Sequence, residues 1–98
     1  MFYTYILASG PAGTLYTGST DDLARRVWEH QNRIRRGFAS RYGVDQLVWF
    51  EGHDTREAAF QRERRIKEWR RAWKIRLIEE ENPYWRDLSE KLNDLLPF

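Results

Sequence analysis

The chain has 98 residues, of which 15% are aromatic, 33% are charged and none is cysteine. This length predicts one domain, residues 1–98, with one hydrophobic core, and the lack of cysteine excludes disulfide frameworks and thiolate metal sites. The first five residues are typical of a strand rather than of a secretion leader, and no apolar run reaches membrane-spanning length. We therefore expect a cytoplasmic protein that makes no membrane contact.

The net charge of +2 is small, but the basic residues are concentrated in two segments. Arg56–Arg76 holds nine Arg or Lys against three acids, and Arg25–Arg41 holds six Arg against one Glu. From Glu79 onwards, six acids face two bases. Arginine outnumbers lysine 14 to 3, and its planar guanidinium suits bidentate phosphate contacts. This distribution favours nucleic-acid contact over a merely solvated charged surface.

The first twenty residues are predicted to form a β-hairpin. Phe2–Ala8 is rich in β-branched and aromatic residues, Ser9–Gly13 consists of turn residues, and Thr14–Ser19 is the returning strand. A helix is expected to start at Thr20–Asp22, with a hydroxyl cap and acids in its first turn. Its inward stripe, spaced i, i+4, i+7 and i+11, is Leu23, Val27, His30 and Ile34.

The middle of the chain predicts a loop, a third strand and a long helix. Arg33–Arg41 is a basic loop around Gly37, and Gln46–Glu51 has the composition of a strand. Asp54-Thr55 then caps a helix that is expected to run to about Arg70.

A second helical stretch, Ala72–Glu81, is expected to end where Pro83 follows Asn82. An aromatic corner follows at Pro83–Leu88, and the tail has an amphipathic piece around Leu92, Leu95 and Leu96. The resulting order, β-β-α-β-α-α, predicts an α/β fold of the α+β type. Its small, mainly antiparallel three-stranded sheet would be covered by helices in two or three layers.

Glu63 is the most unusual residue of the long helix. Ala59, Glu63 and Ile66 are spaced i, i+4 and i+7, so the carboxylate lies on or beside the apolar stripe. A carboxylate near a core is costly unless it is paired or holds a metal ion. Two interpretations follow, a metal ligand or an inward salt bridge to one of the many arginines. A slightly different helix phase would make Glu63 an ordinary surface residue.

Four further polar residues precede Glu63 in the chain. Arg26 and His30 are i and i+4 on the first helix, and Tyr5 and Tyr16 lie on opposite arms of the hairpin. Arginine can stabilise developing charge on a phosphate, and histidine can shuttle a proton. A tyrosine acts as a base only if its pKa falls far below about 10. The structural alternatives are core tyrosines, a snorkelling arginine and a structural histidine.

These positions resemble the motifs of the GIY-YIG nuclease superfamily, and more closely its small single-domain bacterial, excision-repair-nuclease-like members. The first motif is Tyr3–Leu7, with Tyr5 at the tyrosine of the GIY element. The second is Leu15–Gly18, in which Tyr16 and Gly18 match YIG and threonine replaces the isoleucine. Tyr3 stands where the first motif usually has glycine.

The resemblance continues along the chain and covers about Phe2 to Leu88. In the helix motif Thr20–His30, Arg26 matches the catalytic arginine and His30 a histidine found in many members. Ala59–Lys67 matches the segment that carries the metal-binding glutamate, at Glu63, and Asn82–Leu88 resembles the closing motif of the small members. After the YIG element stands Ser19, where some active members carry lysine.

The resemblance implies a divalent-metal-dependent endonuclease acting on DNA. Glu63 would hold Mg²⁺ or Mn²⁺, Tyr5 or Tyr16 would act as base or base relay with help from His30, and Arg26 would stabilise the phosphorane-like charge. The arginines would grip the DNA backbone without reading sequence. The residues expected to contact nucleic acid are Arg25, Arg33, Arg35, Arg36, Arg62, Arg65 and Lys67.

Several alternatives remain open at this point. The chain could be a catalytically silent nucleic-acid-binding module, or an interaction domain whose tyrosines, arginine and glutamate form a polar core network. Family members usually gain target choice from an attached domain, for which this chain has no room. We therefore expect either a preference for branched, nicked or single-stranded DNA structures in repair or processing, or specificity supplied by a homodimer or protein partner.

Overall fold

A computed structural model describes residues 1–32, 37 and 42–95, with the side chains of 93–95 outside the description. Its sheet contains β1 (Phe2–Ala8), β2 (Leu15–Thr20) and β3 (Gln46–His53) in the order β2-β1-β3, with both pairings antiparallel. The predicted strands are confirmed, with β2 displaced by one residue and β3 two residues longer than expected. The basic loop Arg33–Arg41, with Ile34, lies mostly outside the described residues.

The two faces of the sheet are both buried, which makes the fold three-layered. On β1, Tyr5 and Leu7 point to one face, whereas Ile6 and Ala8 pack into a separate cluster on the other. Between Ile6 and Leu7 the pairing with β3 slips by one residue, which is a β-bulge. The alternation of side chains along β1 thus separates the two cores.

The helix α1 (Leu23–Gln31) covers the first face. Leu23 and Val27 are buried against Tyr5 and Leu7, as their helical spacing predicts. The expected hydroxyl cap is wrong, because the Asp22 carboxylate accepts the Arg25 backbone N–H and no acid stands in the first turn. The residue expected to supply the hydroxyl, Thr20, is instead the last residue of β2 and pairs with Tyr3.

The helices α2 (Arg56–Glu68) and α3 (Arg71–Glu81) cover the second face. Thr55 caps α2 by accepting the Ala58 N–H, in agreement with the predicted start. The helix ends at Glu68 rather than at about Arg70. Trp69 adopts an extended backbone, with ψ of 153°, and packs its indole against the core of this face.

An ordered corner and a 3₁₀ helix, Leu88–Leu95, close the fold. Asn82 is buried, and its side chain donates to the Val48 and Arg86 carbonyl oxygens and accepts the Arg86 N–H. Trp85 is buried beside it, which confirms the predicted aromatic corner. Leu92 is buried in the α1-side core, whereas Leu96 lies outside the described residues. No helix in the described part of the chain is long and apolar enough to cross a membrane.

Candidate active site

The candidate site is built on β2, which is an edge strand of the sheet. Tyr5 on β1 pairs with Gly18 on β2. A Cβ atom added to Gly18 would lie 2.5 Å from the Tyr5 hydroxyl and 2.7 Å from the ring carbon that carries it. The phenol therefore crosses β2 directly over Gly18, where only glycine leaves room. The absence of a side chain at Gly18 therefore allows the close approach of the Tyr5 ring to the β2 backbone.

Three rings meet on the α1 face of this strand. The centroids of Tyr5 and Tyr16 are 6.4 Å apart, those of Tyr5 and His30 6.5 Å, and those of Tyr16 and His30 5.7 Å. Tyr5 and His30 are buried, whereas Tyr16 is partly exposed. The structure thus brings together the two tyrosines and the histidine, and it leaves Tyr16 as the tyrosine that solvent reaches.

The Tyr5 hydroxyl is held in its neutral form. The pKa of Tyr5 is raised to about 12, mainly by burial and in part by the neighbouring Tyr16 and Glu63, while Arg26 opposes the shift. Arg26 lies close enough to lower this pKa by its charge and as a donor, but no fully formed hydrogen bond reaches the hydroxyl oxygen among the described residues. The shift is opposite to the lowered pKa that a tyrosine base requires.

Arg26 places a guanidinium at the margin of this ring cluster. It lies on α1, one turn before His30, and its side chain is 26% exposed. Its Nε is 3.8 Å from the Glu29 carboxylate, a long ion pair on the same helix. A guanidinium that is partly exposed and loosely paired can reach an incoming phosphate without first breaking a tight contact.

Glu63 approaches β2 from the opposite side, on α2. It follows the buried Ala59 by one turn, and its side chain is only 12% exposed, which confirms the predicted inward position. The Ser19 hydroxyl donates to Oε1 at 2.6 Å and the Lys67 ammonium donates to Oε2 at 2.6 Å. The carboxylate is therefore paired, and its cation is Lys67 rather than one of the arginines.

Glu63 and the ring cluster lie on the two sides of one edge strand. Ser19 holds the carboxylate on β2 next to Gly18, the residue over which the Tyr5 hydroxyl lies. The influence of both Glu63 and Arg26 on the Tyr5 pKa shows that their charges converge on this hydroxyl. All five predicted site residues thus meet around the segment 16–19.

The residues expected to grip nucleic acid occupy different environments. Arg25 is well exposed and lies 3.9 Å from Asp22, and Arg65 is exposed on α2. Arg62 is instead partly buried, donates to Glu51, and lies over the rings of two tryptophans, Trp49 and Trp69. Arg33, Arg35 and Arg36 lie outside the described residues.

The two hydrogen-bond partners of Glu63, Ser19 and Lys67, were not predicted from the sequence. Lys67 was expected to contact nucleic acid, although its spacing of four residues from Glu63 is the signal of a helical Glu–Lys pair. Ser19 was noted only as the absence of a lysine. Its register opposite Thr4, whose hydroxyl donates to the α2 carbonyl of Ala59, places it on the face that α2 covers.

Comparison with known proteins identifies relatives over most of the chain. Residues 1–76 match the GIY-YIG catalytic domain. A UPF0213 protein of Haloquadratum walsbyi is 42% identical over 78 residues, covering 80% of this chain and 86% of the relative. One from Clostridium perfringens is 31% identical, covering 95% and 99%. The solution NMR structure of a UPF0213 protein from Bacillus halodurans has a TM-score of 0.55 and 27% identity, covering 92% and 96%.

Proposed function

The chain belongs to the GIY-YIG nuclease family, and from that premise we propose that it is a divalent-metal-dependent endonuclease that hydrolyses phosphodiester bonds in DNA. The observation that carries the proposal is the meeting of Glu63, Arg26 and three rings around residues 16–19. A cytoplasmic location is part of the proposal, because the proposed DNA substrate would be met there. Repair or processing of structured DNA is the proposed role, with a homodimer or protein partner as a further source of specificity.

The donor atoms of the site fit a hard cation. Within the described ranges no three His, Asp or Glu side chains cluster, so Glu63 would be the protein's carboxylate ligand. Mg²⁺ is commonly held by one or two carboxylates, with water and substrate phosphate oxygens completing its shell. A bound Mg²⁺ or Mn²⁺ would supply positive charge at the scissile phosphate and at the leaving oxygen. The Ser19 hydroxyl holds Oε1 of Glu63 against β2, and the Lys67 ammonium is already bound to Oε2.

The two tyrosines take different roles in the proposed reaction. Tyr5 is buried and, with a pKa of about 12, keeps its proton, so it acts as a positioning residue behind Tyr16 and Arg26 rather than as the base. Tyr16 is partly exposed and its ring lies against His30, so this pair is better placed to accept the proton of an attacking water. Arg26 stabilises the negative charge that builds on the phosphate. Exposed arginines such as Arg25 and Arg65 bind the DNA backbone.

One observation favours a second candidate, a nucleic-acid-binding module without turnover. Both Glu63 oxygens already accept hydrogen bonds from within the protein, from Ser19 and from Lys67. A carboxylate satisfied in this way requires no metal ion for its stability. The basic surface would then bind DNA while the polar cluster served only the fold.

A cleavage assay with matched variants separates the two candidates. Labelled single-stranded, duplex, flap and branched DNAs are incubated with Mg²⁺, Mn²⁺ or EDTA. We expect metal-dependent cutting that Glu63→Gln abolishes and that Arg26→Ala lowers by about 10²–10³-fold. Glu68→Gln, which alters an exposed acid of the same helix, should cut normally. Cleavage retained by a folded Glu63→Gln protein would refute the assignment of Glu63 as the metal ligand, and binding without cutting by the wild type would refute the nuclease proposal and establish the second candidate.

A further inference from the structure

A second concave feature lies away from the candidate active site, where α2 passes into α3. Its cavity of about 260 Å³ is lined by Trp69, Trp73, Arg76, Leu77 and Glu80. Four of these five residues are spaced i, i+3, i+4 and i+7 along α3, so they form one face of that helix. The cavity is slightly smaller than the roughly 300–1,000 Å³ of drug-sized ligand sites, which suits a single planar ring system.

The two tryptophans that line the cavity differ in burial, since Trp69 is packed against the core and Trp73 is half exposed. Trp69 packs against the core of the sheet, and the Arg62 guanidinium lies 5.4 Å from its ring centroid. Trp73 meets Trp69 edge to face, with centroids 6.3 Å apart, and is 52% exposed. A half-exposed indole beside a fixed one offers an aromatic surface that nothing in the described chain covers completely.

The polar groups around the indoles match the chemistry of a nucleobase. Arg76 supplies donors and Glu80 supplies acceptors at the rim, and these two types of group pair with base edges. The Arg70 guanidinium lies over one face of the Trp73 ring, 6.0 Å from its centroid, so a base would stack on the other face with a cation close by. From Arg62 to Arg76 the chain has eight Arg or Lys against two Glu. The positive charge around the cavity therefore favours binding of a polyanion over binding of an apolar protein segment.

A basic path connects this cavity with Glu63. Lys67 pairs with Glu63, and the Lys74 ammonium lies 3.5 Å from the Lys67 carbonyl oxygen. Glu63 lies about 7–8 Å along the helix axis from Glu68, the last residue of α2 before Trp69, at helical rise. A strand whose base enters the cavity can therefore carry its phosphates past Lys74 and Lys67 towards the carboxylate.

We propose that the cavity lined by Trp69 and Trp73 binds an unpaired nucleobase by stacking on the exposed Trp73 indole, so that the protein selects DNA with a single-stranded segment beside the site of cleavage. The selection of substrate rests on the nuclease function proposed above, whereas the binding of the base does not. Base stacking on an aromatic side chain tolerates any sequence, since every base offers a flat face. The cavity thus accounts for a preference for structure rather than for sequence.

The test measures binding without cleavage. Fluorescence anisotropy in EDTA at fixed salt compares a labelled 12-nucleotide oligo-dT with an abasic oligomer of the same length and charge. We expect tighter binding of oligo-dT, and Trp73→Ala should lose about fivefold or more of its affinity for oligo-dT only. Trp73→Phe should retain most of the affinity. Trp28→Ala, which removes a 42% exposed indole from α1 across the sheet, should bind as the wild type does.

Two results would overturn the proposal: equal affinity for the oligo-dT and abasic oligomers, or unchanged oligo-dT binding by a folded Trp73→Ala protein. Either would leave the cavity to another partner, such as an apolar protein side chain. Because EDTA removes cleavage from the measurement, the binding result does not depend on nuclease activity. If the protein binds oligo-dT in a base-dependent way but never cuts DNA, only the proposed nuclease function is refuted. If Trp73→Ala cuts efficiently and still prefers flap DNA, only the proposed role of the cavity in substrate selection is refuted.

Discussion

The buried Tyr5 hydroxyl predicts that the protein loses stability at alkaline pH in a way that a single substitution removes. Burial raises the pKa of Tyr5 from 10.0 to about 12 in the folded chain. Between these values the folded protein keeps the phenol proton while the unfolded chain releases it. Since the folded state then binds more protons, its free energy of unfolding falls as the pH rises. This contribution is fully present below pH 10 and is lost as the pH approaches 12.

The magnitude follows from the size of the shift. Two pKa units correspond to about 3 kcal/mol in full, at 1.36 kcal/mol per unit. At pH 11.5 the unfolded phenol is almost completely ionised and the folded one is ionised to about a quarter, so about 2 kcal/mol is lost. In Tyr5→Phe this loss is absent. At neutral pH the variant should be nearly as stable as the wild type, because the hydroxyl makes no fully formed hydrogen bond among the described residues.

Urea unfolding of the wild type and Tyr5→Phe at intervals from pH 8.5 to pH 11.5, followed by tryptophan fluorescence, measures the effect. Every other titratable group is present in both proteins, so the difference between the two curves isolates the Tyr5 hydroxyl. The difference in unfolding free energy should move by about 2 kcal/mol in favour of the variant. Curves that stay parallel up to pH 11.5 would show that the phenol is not held neutral, and the roles assigned to the two tyrosines would then fail.

Three further substitutions test other contacts. Gly18→Ala should lower the free energy of unfolding, measured in urea, by about 1–3 kcal/mol, because the added Cβ meets the Tyr5 ring. A Cβ added at Gly10 meets no atom within 4 Å, so Gly10→Ala should show no such overpacking cost. Lys67→Met should raise Mn²⁺ affinity about two- to fivefold in calorimetric titration, because the ammonium competes for the same carboxylate; unchanged affinity would exclude that competition. Asn82→Ala should cost about 2–4 kcal/mol, since it leaves buried backbone groups unpaired, and a loss below 1 kcal/mol would contradict this assignment.

Local sequence signals were enough to predict the elements that carry the site. The strand β1 is predicted from the composition of Phe2–Ala8, and the start of α2 is predicted from the Thr55 cap before Arg56. Both signals lie within the segment itself, and both elements begin where expected. The i, i+4 and i+7 spacing of Ala59, Glu63 and Ile66 likewise predicted the inward carboxylate. These signals succeed because burial on one face of a strand or helix repeats with the period of that element.

The signals that failed depend on contacts between distant residues. Whether Thr20 or Asp22 caps α1 is decided by how far β2 continues its pairing with β1. The end of α2 at Glu68 is decided by the packing of Trp69 into the core between the sheet and α3. The extra residue in β3 opposite Ile6 and Leu7 has no signal in its own segment. Pairing register and core packing are set by the whole fold, so propensities of single segments do not determine them.

The environment of Glu63 shows how such a distant contact changes the interpretation of one residue. Taken alone, Ser19 in place of the lysine of some active members predicted a weaker affinity for DNA, with no connection to the Glu63 carboxylate. In the fold, Ser19 donates to that carboxylate, and Lys67, four residues along α2, brings an ammonium to its other oxygen. The chain therefore keeps a cation beside Glu63 but supplies it from the same helix. Because helical geometry fixes this pair locally, the absence of a lysine at position 19 leaves the positive charge at the carboxylate intact.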